Sequence, residues 1–480
     1  MSNYLLLILL LLVFLFIGFN NILKIPPIWP DEALMADTAL NILNHHPAGT
    51  ELLKNTLPGA QEFGFGYPPL FFYLLAIWFK LFGFSIFAQR TLTIVISIIF
   101  LLVFYTFIKL LQKQKAAFLA LSLILSDYAF LKASLISRPE IVILLLGTIS
   151  TYIFLKSDKL TSKKSLLAYS LTGLLTGLGF LFHYLAIIFM AAFILFLIMR
   201  YKLKLFKQYN FLILTLSFLL PIIIWLMVIH NQLMYLINDL TLRWQYGNNE
   251  IIWLLSVFRD NGISLKIIYL IYFFIWWEII NLAFKTRKAE IKLVTLILSL
   301  SWIFSYFWHT EYAFITVIIF SYIAFITLIY ESFNIKKIIY LTAFIVLISL
   351  NVYNLSKNIL SVTGEKYSYS RFIDNILVNI PEGKTVYLSS IPDAYFAFKP
   401  NRNNKLYEFP FLPTTKQELT KVLNDSDYII YNSSLEALVT ENIVLEYIQK
   451  NSEQTIKIGG PDQYSAFVVK LVPKNLRIDM

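Results

Sequence analysis

The sequence predicts an α-helical polytopic membrane protein with a small α/β domain at its C-terminal end. Three observations predict it. Of 480 residues, 58% are hydrophobic and 14% charged, against about 25% charged in soluble domains, and the mean hydropathy is +0.68. Apolar runs of 18 or more residues recur, and about 20 such residues cross the roughly 30 Å hydrocarbon layer. The charge is also divided: residues 1–356 carry 26 Lys and Arg against 15 Asp and Glu, whereas residues 357–480 carry 14 of each. The net +11 therefore belongs to the apolar part. That placement reads as membrane topology, not as nucleic-acid binding.

Eleven spans are expected, at about 4–23, 90–108, 116–131, 141–155, 166–182, 184–199, 210–229, 265–284, 293–308, 313–330 and 338–356. The first lacks a basic leader and an A-x-A cleavage site, so it reads as an uncleaved helix. Between the spans lie basic clusters at Lys109/Lys113/Lys115, Lys156/Lys159/Lys163/Lys164, Arg200/Lys202/Lys204/Lys207, Lys285/Arg287/Lys288/Lys292 and Lys336/Lys337. Eleven spans with a cytoplasmic N-terminus put all five clusters in the cytoplasm, as the positive-inside rule asks. A twelfth apolar stretch, Pro68–Phe84, would break that agreement if it crossed. It is expected to lie in the interface, opened by Tyr67-Pro68-Pro69 where proline costs least. Acidic residues then gather in the outer loops, chiefly 24–89 and 231–264, with Glu278 placed clearly within a span.

From about residue 357 the composition changes. Alternating patterns predict strands at Thr385–Leu388 and Tyr428–Tyr431, and helical patterns lie at 368–379, 415–424 and 434–450. The expected division is a membrane domain over 1–356 and an extracytoplasmic α/β domain over 357–480. There is no cysteine, which excludes disulfides, thiolate catalysis and Cys-based metal sites.

The sharpest motif is Trp29-Pro30-Asp31-Glu32, just after the first span. Carboxylates beside hydrocarbon are costly and are functional candidates by default, and a desolvated carboxylate makes a better base. A capped, solvated helix N-terminus would explain the pair equally well. Downstream come Phe65-Gly66-Tyr67-Pro68-Pro69-Leu70, then Gly83, then Gln89-Arg90, then Ser137-Arg138-Pro139-Glu140 in a short second outer loop. An arginine held at the membrane surface can bind phosphate, and the neighbouring carboxylate can position a hydroxyl.

In order and spacing, these elements resemble the GT-C superfamily of glycosyltransferases, including the protein O-mannosyltransferases and the aminoarabinose transferase of lipid A. A Gly-rich fifth span, Gly173 to Gly179, extends the likeness. The resemblance implies inverting transfer of a sugar from a polyprenyl-phosphate carrier on the outer face. Asp31 inherits the general-base role, Glu32 and Glu140 stand beside it, and Arg138 lies near donor and acceptor. Arg90 matches an arginine at the head of the second span. Relatives often carry a lysine after the fifth span; this chain has Phe182-His183-Tyr184, and His183 could donate to phosphate. Donor or substrate contacts are expected from Arg138, His183, Tyr67 and Arg90. Further candidates are His309, Glu311 and Tyr312 in a short outer turn, and Arg243 and Arg259 in the 231–264 loop. Members of the superfamily differ in whether they use a divalent cation, and none is inferred from the residues.

The expected partners are the polyprenyl-phosphate sugar donor, membrane lipid, and a glycan, lipid or protein acceptor. The setting is a plasma (inner) membrane. Two other readings stand beside this one. An envelope polysaccharide polymerase or ligase usually carries its largest outer loop late, whereas here the first is largest. A lipid or solute transporter tends to place charges at mid-membrane and to show inverted repeats.

Overall fold

The computed structural model describes residues 3–478 apart from 65, 158–159, 248–262, 309–313, 363–367, 411–414, 433–438 and 460–463. A first long helix, α1 (Asn3–Asn21), is followed by two shorter ones, α2 (Pro30–Leu43) and α3 (Leu70–Phe82). Then come α4 (Ile86–Leu111), α5 (Gln114–Ser126), α6 (Tyr128–Leu135), α7 (Glu140–Ser157), α8 (Ser162–Phe182), α9 (Ile187–Tyr201), α10 (Tyr209–Val228) and α11 (Leu233–Gly247). The helical part ends with α12 (Ile263–Lys285), α13 (Ala289–Trp308), α14 (Phe314–Glu331) and α15 (Asn334–Ser361).

Nine of the described helices are long and apolar enough to cross a membrane, or ten with one bent pair counted as a span. The 20-residue helix α13 occupies the position of the expected ninth span. The fold class is thus the expected one, a polytopic helical protein. Helix α14 lies at its centre, with nearly every side chain from Phe314 to Ile329 buried. Helix α3 is a 13-residue apolar helix, about 20 Å long at 1.5 Å per residue and so shorter than the hydrocarbon layer. At its end Gly83 takes φ +83°, the left-handed geometry that glycine adopts freely. Ser85 then caps α4 through the N–H of Ala88.

The expected third span, 116–131, differs from a straight helix. Helices α5 and α6 meet at 71°. The cause is Asp127, whose extended backbone ends α5 and whose Oδ1 accepts from the N–H of Ala129 at 2.7 Å, capping α6. Its Oδ2 accepts from the hydroxyls of Tyr322 and, at 3.3 Å, Tyr272. Asn351 donates in turn to Tyr322 at 2.8 Å. Asp127 is therefore a buried acid within a span in addition to Glu278, and its polar partners come from α12, α14 and α15. Glu278 itself accepts from Tyr340 at 2.7 Å.

The basic clusters around Lys113, Arg200 and Lys288 come together at one end of the bundle. Lys288 there binds Glu331 at 2.5 Å. Arg200, Arg287 and Lys292 line one groove with Phe196 and Met199.

After α15 come α16 (Tyr369–Leu377), β1 (Thr385–Ser389), α17 (Tyr395–Phe398), β2 (Lys405–Glu408), α18 (Lys416–Asp425), β3 (Tyr428–Tyr431), α19 (Val439–Asn451), β4 (Ser452–Ile458) and β5 (Ala466–Leu471). The sheet order is β2-β1-β3-β5-β4, parallel between β1 and both its neighbours and antiparallel beyond β3. The predicted strands are β1 and β3, each buried along its length. This sheet unit rests on the loop between α1 and α4. Asp393 N–H donates to the Ile28 carbonyl at 2.8 Å and Glu408 N–H to that of Leu52 at 2.9 Å. Tyr464 Oη donates to the Lys24 carbonyl at 3.1 Å.

Candidate active site

Pro30 opens α2, so Asp31 and Glu32 fall in its first turn, where a helix favours negative charge. The two carboxylates then part. Glu32 turns inward and is completely buried. Arg90, near the head of α4, meets it with Nε on Oε1 at 2.8 Å and Nη2 on Oε2 at 2.6 Å. Arg90 Nη1 donates to the carbonyls of Ile22 at 2.7 Å and Pro26 at 2.9 Å. Glu32 also accepts the backbone N–H of Trp29 at 3.1 Å and of Ser137 at 3.0 Å. One ion pair therefore ties together the end of α1, the start of α2, the head of α4 and the segment joining α6 to α7.

Asp31 turns the other way and keeps some exposure, with 13% of its side chain accessible. Its Oδ2 accepts from Arg138 Nη1. Arg138 Nε and Nη2 both reach Glu140 Oε1, at 3.0 and 2.9 Å, and Nη2 also donates to the Tyr67 hydroxyl at 3.0 Å. A single buried guanidinium thus joins two carboxylates and a phenol. Among the described residues, Glu140 Oε2 has no hydrogen-bond partner. Against the Tyr67 ring lies His183, with ring centroids 5.5 Å apart. His183 Nδ1 accepts the Leu185 N–H at 3.1 Å, so the proton of the neutral ring sits on Nε2. Asp31 and Tyr67 line a narrow recess with Leu34, Met35 and Phe72.

The glycines of α8 set where His183 stands. A Cβ at Gly173 would lie 2.2 Å from the Leu214 carbonyl oxygen, and one at Gly177 would lie 2.4 Å from that of Phe218. Only glycine allows α8 and α10 to pack backbone to backbone there, and His183 follows at the end of α8.

The structure brings together Asp31, Tyr67, Arg138, Glu140 and His183, with Glu32 and Arg90 forming the buried support behind Asp31. Of the remaining expected residues, Arg259, His309, Glu311 and Tyr312 lie outside the described residues. Arg243 lies on α11, with its side chain outside the described set. Among the described residues, no group of three or more His, Asp or Glu is placed to hold a metal ion.

Three further acids stand at this end of the molecule without a signal in the sequence. Asp37, on α2, accepts from Thr50 Oγ1 at 2.7 Å, Glu51 N–H at 3.0 Å and Tyr395 Oη at 3.0 Å. Burial pushes its carboxyl above the usual range, although those bonds oppose the shift. Asp393 and Glu408 come from the sheet unit and are both fully buried. Burial pushes Asp393 up to about 6, and burial with the Asp393 charge holds Glu408 well above its ordinary value. Asp37 meets Tyr395 from the far end of the chain, and the N–H groups of Asp393 and Glu408 reach Ile28 and Leu52, contacts that pattern and spacing pass over.

The fold defines a class: the architecture is the GT-C fold. It matches ArnT from Cupriavidus metallidurans in the apo state with a TM-score of 0.64 over 100% of both chains, at 11% identity. The same protein bound to undecaprenyl phosphate matches at 0.63 over 99% of both chains, at 11% identity. The Archaeoglobus fulgidus oligosaccharyltransferase in complex with Zn and sulfate matches at 0.57, over 95% of this chain and 72% of that one, at 12% identity. Within this class, residues 67–225 match the family model of dolichyl-phosphate-mannose-protein mannosyltransferases. That segment contains Tyr67, Arg90, Arg138, Glu140 and His183. No curated protein sequence matches the chain.

Proposed function

We propose that the chain transfers a sugar from a polyprenyl-phosphate carrier to an acceptor hydroxyl, with inversion at the anomeric carbon. The observation that carries this reading is the convergence of Asp31, Tyr67 and Glu140 on Arg138, with His183 beside Tyr67. Asp31 is the general base. Arg138 and the His183 Nε2–H hold the donor phosphate, and Glu140 positions Arg138. In the transfer the anomeric C–O bond to phosphate breaks, the acceptor oxygen bonds to that carbon, and the acceptor proton passes to Asp31. The phosphate leaves with the bonding electrons, and positive groups at that oxygen stabilise the developing charge. Phosphate binding draws Arg138 away from Asp31 and frees the carboxylate to accept a proton. Glu32 and Arg90 orient the turn from behind and touch no substrate.

The setting proposed is a plasma (inner) membrane with the N-terminus and the basic end in the cytoplasm. The site and the 357–480 unit then face outward, joined to a membrane domain over 1–356. The meeting of the basic clusters around Lys113, Arg200 and Lys288 at one end of the bundle supports that orientation. The acceptor is a glycan, lipid or protein.

The test is transfer from polyprenyl-phosphate sugars by the membrane-embedded protein and its Asp31→Asn variant. General-base removal is expected to lower kcat by about 100-fold or more. Undiminished transfer by Asp31→Asn removes Asp31 as the base.

A further inference from the structure

We propose that Asp393 and Glu408 form a one-proton carboxyl pair through which the C-terminal sheet unit positions the Asp31–Glu32 turn. The role rests on the transferase reading; the geometry does not.

Both residues are fully buried. Asp393 Oδ1 accepts the Tyr395 N–H at 2.6 Å, and Glu408 Oε1 accepts the Phe409 N–H at 3.0 Å. Their other oxygens, Oδ2 and Oε2, are buried and receive no N–H or O–H among the described residues, and the two carboxyls lie close enough to act on each other directly. Two carboxylates in contact inside a dry site cannot both ionise without a cation. The ionisable groups facing the pair are Asp31 and Glu32 on α2, Tyr387 on β1, Tyr369 on α16 and Tyr395 on α17. The nearby Arg90 is committed to Glu32. A proton therefore stays between the two, with Glu408 donating to the Asp393 carboxylate.

The pair sits where the sheet unit grips the first loop. Asp393 N–H holds the carbonyl of Ile28, and the next residue, Trp29, donates its N–H to Glu32. Glu408 N–H holds the carbonyl of Leu52, beside the Thr50–Glu51 segment bound to Asp37. Loss of the shared proton places a second charge in a dry space already facing Asp31 and Glu32. The sheet unit then moves away and the turn loses its register.

The sign follows from the direction of the shifts. The folded pair keeps a proton that free carboxyls release above about pH 4.5. Asp393 is pushed up to about 6 and Glu408 well above its ordinary value, so docking holds while the pair keeps its one proton and is lost as pH rises through the higher, Glu408 step. Glu408→Gln keeps the donor and the acceptor and cannot ionise.

The experiment compares the full chain with Glu408→Gln, Glu408→Ala and Asp393→Ala across pH, in lipid vesicles. Two readouts are taken: protease protection of the sheet unit without substrate, and sugar transfer. Protection of the original protein is expected to fall from neutral to alkaline pH, and that of Glu408→Gln to stay flat. Both alanine variants are expected to lose about 100-fold in kcat, as a misplaced catalytic group does, while Glu408→Gln retains transfer and extends its alkaline limb. Protection or transfer profiles of Glu408→Gln that superimpose on the original's overturn the proposal, as does a Gln variant as impaired as the Ala one. If the original protein transfers no sugar while its protection still falls with pH and that of Glu408→Gln does not, the pair stands and the transferase reading fails.

Discussion

Arg90 grips Glu32 through two hydrogen bonds of 2.8 and 2.6 Å, and neither side chain reaches solvent. The adjacent Asp31 points the opposite way, toward Arg138 and the recess. The same turn thus supplies a structural anion and a candidate reactive one. Removing one partner of a buried pair leaves an uncompensated charge and costs about 3–5 kcal/mol. Glu32→Ala and Arg90→Ala are each expected to lower the unfolding temperature and the folded yield. Asp31→Asn, at a partly open site, is expected to fold like the original. Equal thermal stability for Arg90→Ala and the original protein would contradict the anchoring role.

Arg138→Lys tests the planar fork. The guanidinium bonds Glu140 through two N–H groups while also reaching Asp31 and Tyr67. A lysine offers three donors from one nitrogen and cannot span that spread. The expected outcome is a rise of about tenfold or more in the KM for the lipid-linked donor, a loss of about 1.4 kcal/mol, with folding retained. An unchanged KM would take phosphate binding away from Arg138.

Gly177→Ala and Gly83→Ala separate two reasons for glycine. At Gly177 an added Cβ meets the Phe218 carbonyl oxygen at 2.4 Å and Pro221 at 2.8 Å. Overpacking of this kind costs about 1–3 kcal/mol, and it moves the end of α8 that carries His183. At Gly83 nothing lies within 4 Å, yet φ is +83°, so the cost there is backbone strain of about 1–2 kcal/mol. Both variants are expected to melt lower in detergent. Only Gly177→Ala is expected to impair donor binding as well, and equal donor affinity in the two variants would uncouple the α8–α10 packing from the site.

The sequence makes legible what depends on local pattern. Hydrophobic length marks the spans, the Trp29-Pro30-Asp31-Glu32 turn marks the head of α2, and the alternating runs mark β1 and β3. It does not reveal that Asp31 and Glu32 face opposite ways, because that depends on Arg90 arriving from α4 and Arg138 from the segment joining α6 to α7. The break at Asp127 is likewise hidden: a single cap residue in an apolar run reads as a tolerated polar position until Tyr272 and Tyr322 converge on it. Strands β2, β4 and β5 escape for a related reason, since β4 is mostly exposed and its pairing is set by β5.

Asp37 gives a test of docking that is separate from the Asp393–Glu408 pair. Its carboxyl joins α2 to Thr50 and Glu51 of the first loop and to Tyr395 of the sheet unit. Burial raises its folded value above the free value of 3.8. A raised carboxyl contributes stability that is full below the free value and is lost as pH rises through the folded one. Asp37→Asn removes that titration; its amide oxygen can accept from Thr50 and Glu51, and its NH2 can donate to Tyr395. The expected result is an unfolding temperature that depends less on pH than the original's, at little cost in neutral buffer. Asp37→Ala strands three donors and is expected to cost roughly 3 kcal/mol or more at every pH, because each buried unpaired group costs about 1–3 kcal/mol. If the melting curves of Asp37→Asn and the original run parallel across pH, the buried carboxyl at Asp37 does not govern how the sheet unit holds the loop.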